Sequence, residues 1–167
     1  HERSRESERR LSTLVSNLPG IVYRYANDRE WSIEFVSTGV TELTGYAVED
    51  FINGRVRWPQ LVHPDDVSFV RAAVQSGLSE RLPYQIEYRI LRKDGSQCWV
   101  WEQGEGVFER GRAEPIALEG FVTDVSQRKE ATEALKAKEA ELALVADTTP
   151  MILTRCSRDL RYRFANR

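Results

Sequence analysis

The chain has 167 residues, with 41% hydrophobic and 30% charged residues, a composition that predicts a folded domain with linkers. Its net charge of −2 disfavours a nucleic-acid surface, which normally carries a basic face. Its apolar runs, such as residues 151–153, are too short to cross a bilayer.

The cellular setting is predicted from the two ends of the chain and the cysteines. The N-terminus is charged and has no apolar stretch typical of a signal peptide. The chain begins with His1, and its only methionine is Met151, so we expect an internal piece of a longer protein. Cys98 and Cys156 suggest no disulfide framework, which favours a reducing, cytoplasmic location.

The first elements are predicted to be a helix and a hairpin. Residues 2–18 carry apolar residues at helical spacing on one face, and Pro19-Gly20 ends this helix. Residues 21–25 and 31–36 have the composition of strands. Asn27-Asp28 lies between them and favours a turn.

Short helices and one longer helix are expected next. Between residues 39 and 62, Gly and Pro stop each apolar stretch before it grows. Pro64 should open a better helix, with Asp65 and Asp66 near its positive end, where carboxylates are favoured. The apolar face of this helix is formed by Val67, Val70, Ala73 or Val74, and Leu78.

Three further strands complete the predicted core. Residues 84–91 alternate between apolar and polar, and the Asp-Gly pair in Lys93–Ser96 favours a tight hairpin turn. Residues 97–108 form the returning strand of this hairpin, and residues 116–125 form a fifth strand. This order predicts an α+β fold, with a five-stranded antiparallel sheet and helices on one face.

Residues 127–146 are predicted to form a last helix that links this domain to the next segment. A seven-residue spacing places Arg128, Leu135 and Leu142 at one seam position, and Ala131, Lys138 and Val145 at the other. Two clear heptads with a lysine in the seam predict a weak coiled coil. A solvated helix folded back on the domain is an equal alternative.

The sequence after this helix is similar to the start of the chain. Residues 144–150 compare with residues 14–19, and residues 164–166 compare with residues 35–37. The offset is near 130 residues, which equals one domain plus a connecting helix. We expect residues 147–167 to be the truncated start of a second copy, with chance similarity of short apolar strands as the alternative.

Four motifs together resemble the PAS sensory-domain family. They are Thr44-Gly45-Tyr46, His63-Pro64-Asp65-Asp66, residues 87–100 around the Lys93–Ser96 turn, and residues 120–129. The His-Pro-Asp-Asp motif is similar to that of one subgroup. The resemblance implies a PAS domain over residues 19–126, signalling helices at residues 1–18 and 127–146, and the start of a second PAS repeat.

The end of the fifth strand is a candidate signal relay. The family closes with Asp-x-Thr, and Asp124-Val125-Ser126 is a mild departure because either hydroxyl can make the same hydrogen bonds. Asp124 and Ser126 also stand where a helix N-cap is needed. We expect Asp124, Ser126 and Arg128 to couple the sheet to the last helix, with structural capping alone as the alternative.

Catalytic, metal and haem chemistry is not expected. His63 has no second His or Cys at ligand spacing, so a polar turn residue is favoured over a haem or metal ligand. Cys98 lies in a late strand without the Asn-Cys-Arg motif of flavin light sensors, which disfavours covalent flavin. The sequence contains no Gly-rich phosphate loop, nucleophile elbow or zinc-protease helix. We therefore predict a regulatory domain and not an enzyme.

Aromatic residues on different strands are candidates for lining a ligand pocket, and these are Tyr23, Phe35, Tyr88 and Trp99. The resemblance implies that a small molecule can lie between sheet and helices, and non-covalent flavin stays open. We favour a filled or nearly filled core over a cavity. Trp99 and Trp101 share one sheet face, and an open face would suit the N-terminal helix or a second subunit.

The resemblance implies a sensory PAS domain of a multidomain bacterial signal-transduction protein. A histidine kinase, a diguanylate cyclase or a cyclic-di-GMP phosphodiesterase is expected as the covalently linked output domain, outside this chain. We expect a homodimer through the terminal helices, with no nucleic-acid partner and no membrane insertion. The alternative is a structural dimerisation or spacer module without a ligand.

Overall fold

The computed structural model describes residues 2–28, 32–148, 154–156 and 162–165. The predicted strand start at Trp31 lies outside the described residues, and so does much of the predicted second domain. The chain divides into two units, residues 1–126 and residues 127–167.

Helices and strands follow each other in the predicted order. The helices are α1 (Glu2–Ser16), α2 (Gly39–Thr44), α3 (Val48–Ile52), α4 (Trp58–Leu61), α5 (Val67–Glu80) and α6 (Ser126–Thr148), with a 3₁₀ helix at Pro64–Asp66. The strands are β1 (Ile21–Ala26), β2 (Ile33–Val36), β3 (Tyr84–Leu91), β4 (Gln97–Val107), β5 (Ala117–Asp124), β6 (Thr154–Cys156) and β7 (Tyr162–Ala165).

Strands β1 to β5 form one antiparallel sheet in the order β2-β1-β5-β4-β3. The predicted α+β fold with a five-stranded sheet is confirmed. Residues 84–91 form a strand because apolar and polar residues alternate along them. Tyr84, Ile86, Tyr88 and Ile90 are buried, and the residues between them are not. We call the face with these buried residues the inner face and the opposite face the outer face.

Helices α2 to α5 cover the inner face and close the hydrophobic core. Val40, Leu43, Phe51 and Leu61 are buried in the short helices, opposite buried strand residues such as Ile90. The predicted apolar face of α5 packs against this core through Val67, Val70, Ala73, Val74 and Leu78. The helical spacing of these five residues therefore identified the correct face.

The segment before α5 is joined to β3, mainly through Arg89. The backbone N–H of His63 donates to the carbonyl of Arg89 at 2.8 Å, and the imidazole Nδ1 accepts the N–H of Asp65 at 3.3 Å. Asp66 accepts three hydrogen bonds from Arg89, one from the backbone N–H and two from the guanidinium. Asp66 therefore anchors α5 to the sheet. The sequence predicts only a favourable interaction of its carboxylate with the positive end of the helix.

Helix α6 continues the chain beyond the sheet into the second unit. Leu135, Leu142 and Val145 are each more than half exposed along it. In this unit β6 and β7 pair with each other as an antiparallel hairpin. Within the described part of the chain, every helix is too short or too polar to cross a membrane.

Candidate functional site

Asp124 is the last residue of β5 and lies beside the first residue of α6. One carboxylate oxygen accepts the backbone N–H of Ser126 at 2.8 Å. The other accepts a hydrogen bond from the guanidinium of Arg92 at 3.0 Å. Burial acts to raise the pKa of Asp124, but the Ser126 hydrogen bonds and the Arg92 charge outweigh it and hold that pKa below its usual value.

Ser126 joins α6 to the neighbouring strand β4. Its hydroxyl oxygen accepts the backbone N–H of Trp99 at 2.9 Å, and the Val125 N–H donates to the Trp99 carbonyl at 2.9 Å. The pairing of β4 with β5 is thus extended by one side chain into the helix. The Ser126 hydroxyl bonds to the strand, and the Asp124 carboxylate is the group that accepts a backbone N–H at the start of α6.

Arg92 connects this junction to the helices on the inner face. Its Nε donates to the carbonyl of Leu43 at the end of α2, at 2.9 Å. The next residue, Lys93, donates its backbone N–H to the Thr44 carbonyl at 2.9 Å. One arginine therefore links the end of α2 to the carboxylate that accepts the N–H of the first residue of α6.

The sequence predicts Asp124 and Ser126 at this junction but does not point to Arg92. The residue stands directly before the predicted hairpin turn, and the pairing of β3 with β4 puts this turn at the end of the sheet where β5 stops. Its reach to both α2 and β5 depends on tertiary packing. Arg128 lies in the second unit, and its place in the relay stays a prediction.

The four aromatic pocket candidates lie on two different faces. Tyr23 and Tyr88 are buried on the inner face, with 5% and 1% of their surface exposed. Trp99 lies on the outer face, because it alternates with the buried Cys98 and Val100 along β4. Phe35 pairs with Arg24 on the outer side of β1 and is 45% exposed. The structure thus brings Tyr23 and Tyr88 together and separates them from Phe35 and Trp99.

Glu102 lies between the buried tyrosines and was not singled out as a site from the sequence. It is 6% exposed. One carboxylate oxygen, Oε1, accepts hydrogen bonds from the hydroxyls of Tyr23 and Tyr84, the latter at 3.1 Å. The other, Oε2, accepts from Tyr88, whose oxygen accepts the indole N–H of Trp58 at 2.7 Å. A glutamate at an inward-facing position of the predicted fourth strand was the available signal.

Two shallow cavities open away from this cluster. One, of about 310 Å³, lies on the outer face and is lined by residues that include Trp101, Glu119 and Phe121. The other, of about 350 Å³, lies along α5 beside Val67 and Arg71. Hydroxyl and carboxylate groups occupy the inner core where Tyr23, Tyr84, Tyr88 and Glu102 meet.

Comparison with known proteins gives a family match in the region of the sheet. The model of the family described as the PAS fold matches residues 33–122, which is more than half of the chain. This region includes β2 to β4, helices α2 to α5, and β5 up to Val122. The Arg92–Asp124 junction begins inside it and ends two residues beyond it.

Similar proteins come from archaea and bacteria. The methyl sulfide methyltransferase-associated sensor of Methanosarcina acetivorans is 32% identical over 84% of this chain, which spans 14% of that protein. A sensory box histidine kinase/response regulator structure from Burkholderia thailandensis has a TM-score of 0.64 and 24% identity, and covers 80% of this chain and 97% of its own. The N-terminal domain of a diguanylate cyclase with a PAS/PAC sensor from Marinobacter aquaeolei has a TM-score of 0.57 and 20% identity, and covers 66% and 98%.

Proposed function

Because the chain belongs to the PAS fold family, we propose that it passes the state of its sheet to α6 through Arg92, Asp124 and Ser126. The family has a sensory role in signal transduction, and the relatives include a sensor and parts of a histidine kinase and a diguanylate cyclase. The observation that carries the proposal is that Ser126, the first residue of α6, is bonded to both β4 and β5. The PAS domain itself is regulatory.

The relay is tested by comparing two aspartates with the same local bond. Asp124 accepts the N–H of Ser126 at 2.8 Å, and Asp94 accepts the N–H of Ser96 at 2.9 Å in an exposed turn. Asp124→Asn weakens the bond to Arg92 because a neutral amide replaces the carboxylate. We expect faster amide hydrogen exchange in the first turn of α6 in this variant, measured by mass spectrometry.

Asp94→Asn is the matched control, since it changes the same kind of local bond without removing a hydrogen bond to the first residue of α6. It should leave exchange in α6 at the wild-type rate. Equal exchange at the start of α6 in wild type and Asp124→Asn would contradict the relay. In the full-length protein, the same pair should separate a change in output activity from a general loss of stability.

We also propose that a second PAS copy begins in the second unit. In the first hairpin Tyr23 pairs with Val36 and Tyr25 with Ile33, and the register shifts between Arg24 and Tyr25. In the second hairpin Thr154 pairs with Ala165 and Cys156 with Tyr162, and the register shifts between Arg155 and Cys156.

The irregularity falls on the same step of both hairpins, so it supports a repeat more strongly than the similarity of short strands. In the full-length protein, the residues after Arg167 should then carry counterparts of Thr44-Gly45-Tyr46 and of the Lys93–Ser96 turn, each about 130 residues later. An unrelated sequence there would leave the hairpin as a chance likeness.

Membership of the PAS family also supports proposals about the ligand, the output domain and the location. The chain spans 14% of its relative from Methanosarcina acetivorans, so the output activity belongs to other parts of the full-length protein in this proposal. The hydroxyl groups around Glu102 support a filled core, with a small-molecule ligand as the alternative state. A cytoplasmic location and membership of the His-Pro-Asp-Asp subgroup complete the proposal.

A homodimer through the terminal helices is part of this function. Leu11 and Leu14 of α1 are exposed by 60% and 65%, and Leu135 and Leu142 of α6 by 61% and 60%. Exposed leucines at helical spacing are typical of helices that pair. This observation also favours the second candidate function, a dimerisation or spacer module without a ligand.

Native mass spectrometry and an absorbance spectrum of the purified protein distinguish the two functions. A bound small molecule supports the sensor with a ligand. A bare chain with no chromophore supports the spacer.

A further inference from the structure

Two tyrosines and two glycines form one row across four strands of the sheet. Tyr23 of β1 pairs with Gly120 of β5, Gly120 with Gly104 of β4, and Gly104 with Tyr84 of β3. The two tyrosine side chains reach across the glycines, and their hydroxyl oxygens lie 3.0 Å apart. A methyl group at Gly104 would overlap both hydroxyls. The glycines therefore leave room for a polar contact inside the core.

Glu102 lies in the next row of the same face, where it pairs with Ile86 and Val122. Among the residues that the structure describes, the titratable groups that interact with Glu102 are tyrosines, namely Tyr23 and Tyr25 of β1 and Tyr84 and Tyr88 of β3. In the described part of the chain, no Lys, Arg or His contributes to the shift of its pKa. A buried carboxylate without a cation is costly as an anion, so its proton is held more tightly.

The hydrogen atoms available to the cluster differ between the two carboxylate oxygens. On the side of Oε2 there are two contacts and two hydrogens, because the Trp58 indole donates to Tyr88 and Tyr88 donates to Glu102. On the side of Oε1 three oxygens are in mutual contact, namely Glu102 Oε1 and the hydroxyls of Tyr23 and Tyr84. The two hydroxyls supply only two hydrogens for these three contacts.

We propose that Glu102 Oε1, the Tyr23 hydroxyl and the Tyr84 hydroxyl form a binding site for a single proton in the core. The proton comes from solvent and completes a ring of three hydrogen bonds. The protonated Glu102 then donates a hydrogen bond to one tyrosine hydroxyl, and this hydroxyl donates to the other. The second hydroxyl donates to Glu102 Oε1. No electron is transferred and no bond other than O–H forms or breaks.

Proton uptake changes how β1 is held to β3. With an anionic Glu102, both tyrosines donate to the carboxylate and their own oxygens meet without a hydrogen between them. With a neutral Glu102, a direct hydrogen bond joins Tyr23 and Tyr84. Burial raises the pKa of Glu102 and the hydroxyl donors offset only part of the rise, which agrees with a site that keeps its proton. The inference stands independently of the proposed signalling role.

The test is a pH titration of the labelled protein, residues 1–167, followed by carbon NMR of the glutamate carboxyl groups. The range is limited to pH values at which the backbone spectrum shows a folded chain. Glu102→Gln identifies the Glu102 resonance by its loss. We expect one step for Glu102, with a midpoint above that of every other glutamate. The ring carbons that bear the hydroxyls of Tyr23 and Tyr84 should shift with the same midpoint.

Two tyrosine variants distinguish the ring of three hydrogen bonds from a simple loss of hydrogen-bond donors to Glu102. Tyr88→Phe removes a donor to Oε2 and leaves the ring intact, so the anion loses support and the midpoint should rise. Tyr84→Phe removes an oxygen of the ring, so a proton on Glu102 would leave the Tyr23 hydroxyl without an acceptor. The midpoint should therefore fall in Tyr84→Phe. Both changes keep the aromatic ring.

A rise of the midpoint in both variants would overturn the proposal, because Oε1 would then behave like any carboxylate oxygen that loses a donor. The same conclusion follows if the Glu102 carbon does not titrate in the wild type while other glutamates do. Should Tyr84→Phe give an unfolded spectrum, Tyr23→Phe tests the same point, since it removes the other hydroxyl oxygen of the ring.

Discussion

Glycine at two strand positions determines what the core of this protein can contain. Gly104 and Gly120 weaken a strand in isolation, because a glycine has no side chain to pack and a large conformational freedom to lose. Here they create the space in which Tyr23 and Tyr84 meet above the sheet. The polar groups they admit are all bonded to each other, which offsets the cost of burying them.

The residue-scale prediction concerns the methyl group that Gly104 lacks. Gly104→Ala should destabilise the fold by about 1–3 kcal/mol, the usual range for an overpacked core. The measurement is chemical denaturation followed by circular dichroism. The double variant Gly104→Ala with Tyr84→Phe removes one overlapping hydroxyl and should be less destabilised than the sum of the two single changes. Simple additivity would show that overlap with the Tyr84 hydroxyl is not the cause.

At the scale of elements, side chains fix how the helices sit on the sheet. Asp66 bonds to Arg89 of β3 before α5 begins, and Arg92 joins the end of α2 to the end of β5. The hydrogen bonds from Arg89 hold the pKa of Asp66 below its usual value, against the effect of burial. These two contacts position α2 and α5 more specifically than apolar packing, which is non-directional.

The element-scale prediction is a pH-dependent effect of the Asp66–Arg89 pair. Because the pKa of Asp66 is lower in the folded state, its contribution to stability is present above the unfolded-state pKa and is lost as the pH falls through the folded-state pKa. Asp66→Asn should lower Tm by a few degrees near neutral pH. The difference from wild type should shrink in acid.

Asp65→Asn is the matched control for this pair. Asp65 is 74% exposed at the side chain and lies 3.8 Å from the same guanidinium, so its loss should have little effect on Tm. Equal losses of Tm in the two variants would show that general charge near the start of α5, and not the anchoring bonds, is responsible.

On the scale of the whole molecule, the chain consists of a complete PAS sheet and a second unit with its own hairpin. Helix α6 begins at the junction and carries Leu135 and Leu142, which are exposed by 61% and 60%. A single helix of this kind is marginal in water without a partner for its apolar side chains. We propose that association of two chains through α6 supplies that partner.

The whole-molecule prediction is that α6 contributes to a homodimer. Leu135→Glu with Leu142→Glu places charges at one seam position and should lower the mass measured by sedimentation equilibrium from dimer toward monomer. Ala140→Glu is the control, because residue 140 lies on the opposite side of the heptad. A wild-type chain that sediments as a monomer, or a double variant that remains a dimer, would contradict the prediction.

Local patterns in the sequence are sufficient for the elements of this fold. The alternation in residues 84–91 defines β3 to the residue, and the Asp-Gly turn places β4 beside it. The spacing from Val67 to Leu78 identifies the buried face of α5. Asp124 and Ser126 are also accessible in this way, because a strand end followed by a helix start requires polar groups at that point.

Contacts between distant residues required the tertiary structure. Alternation along β4 predicts that Trp99 and Glu102 lie on opposite faces of the sheet. The contact of Tyr23 with Glu102, across one glycine of β5 and one of β4, depends on the strand order. The reach of Arg92 to α2 and β5 has the same origin. Secondary structure depends on neighbours along the chain, so the sequence by itself determined it. The hydrogen bonds of Glu102 and Asp124 depend on which strands lie side by side, and only the folded sheet decides this.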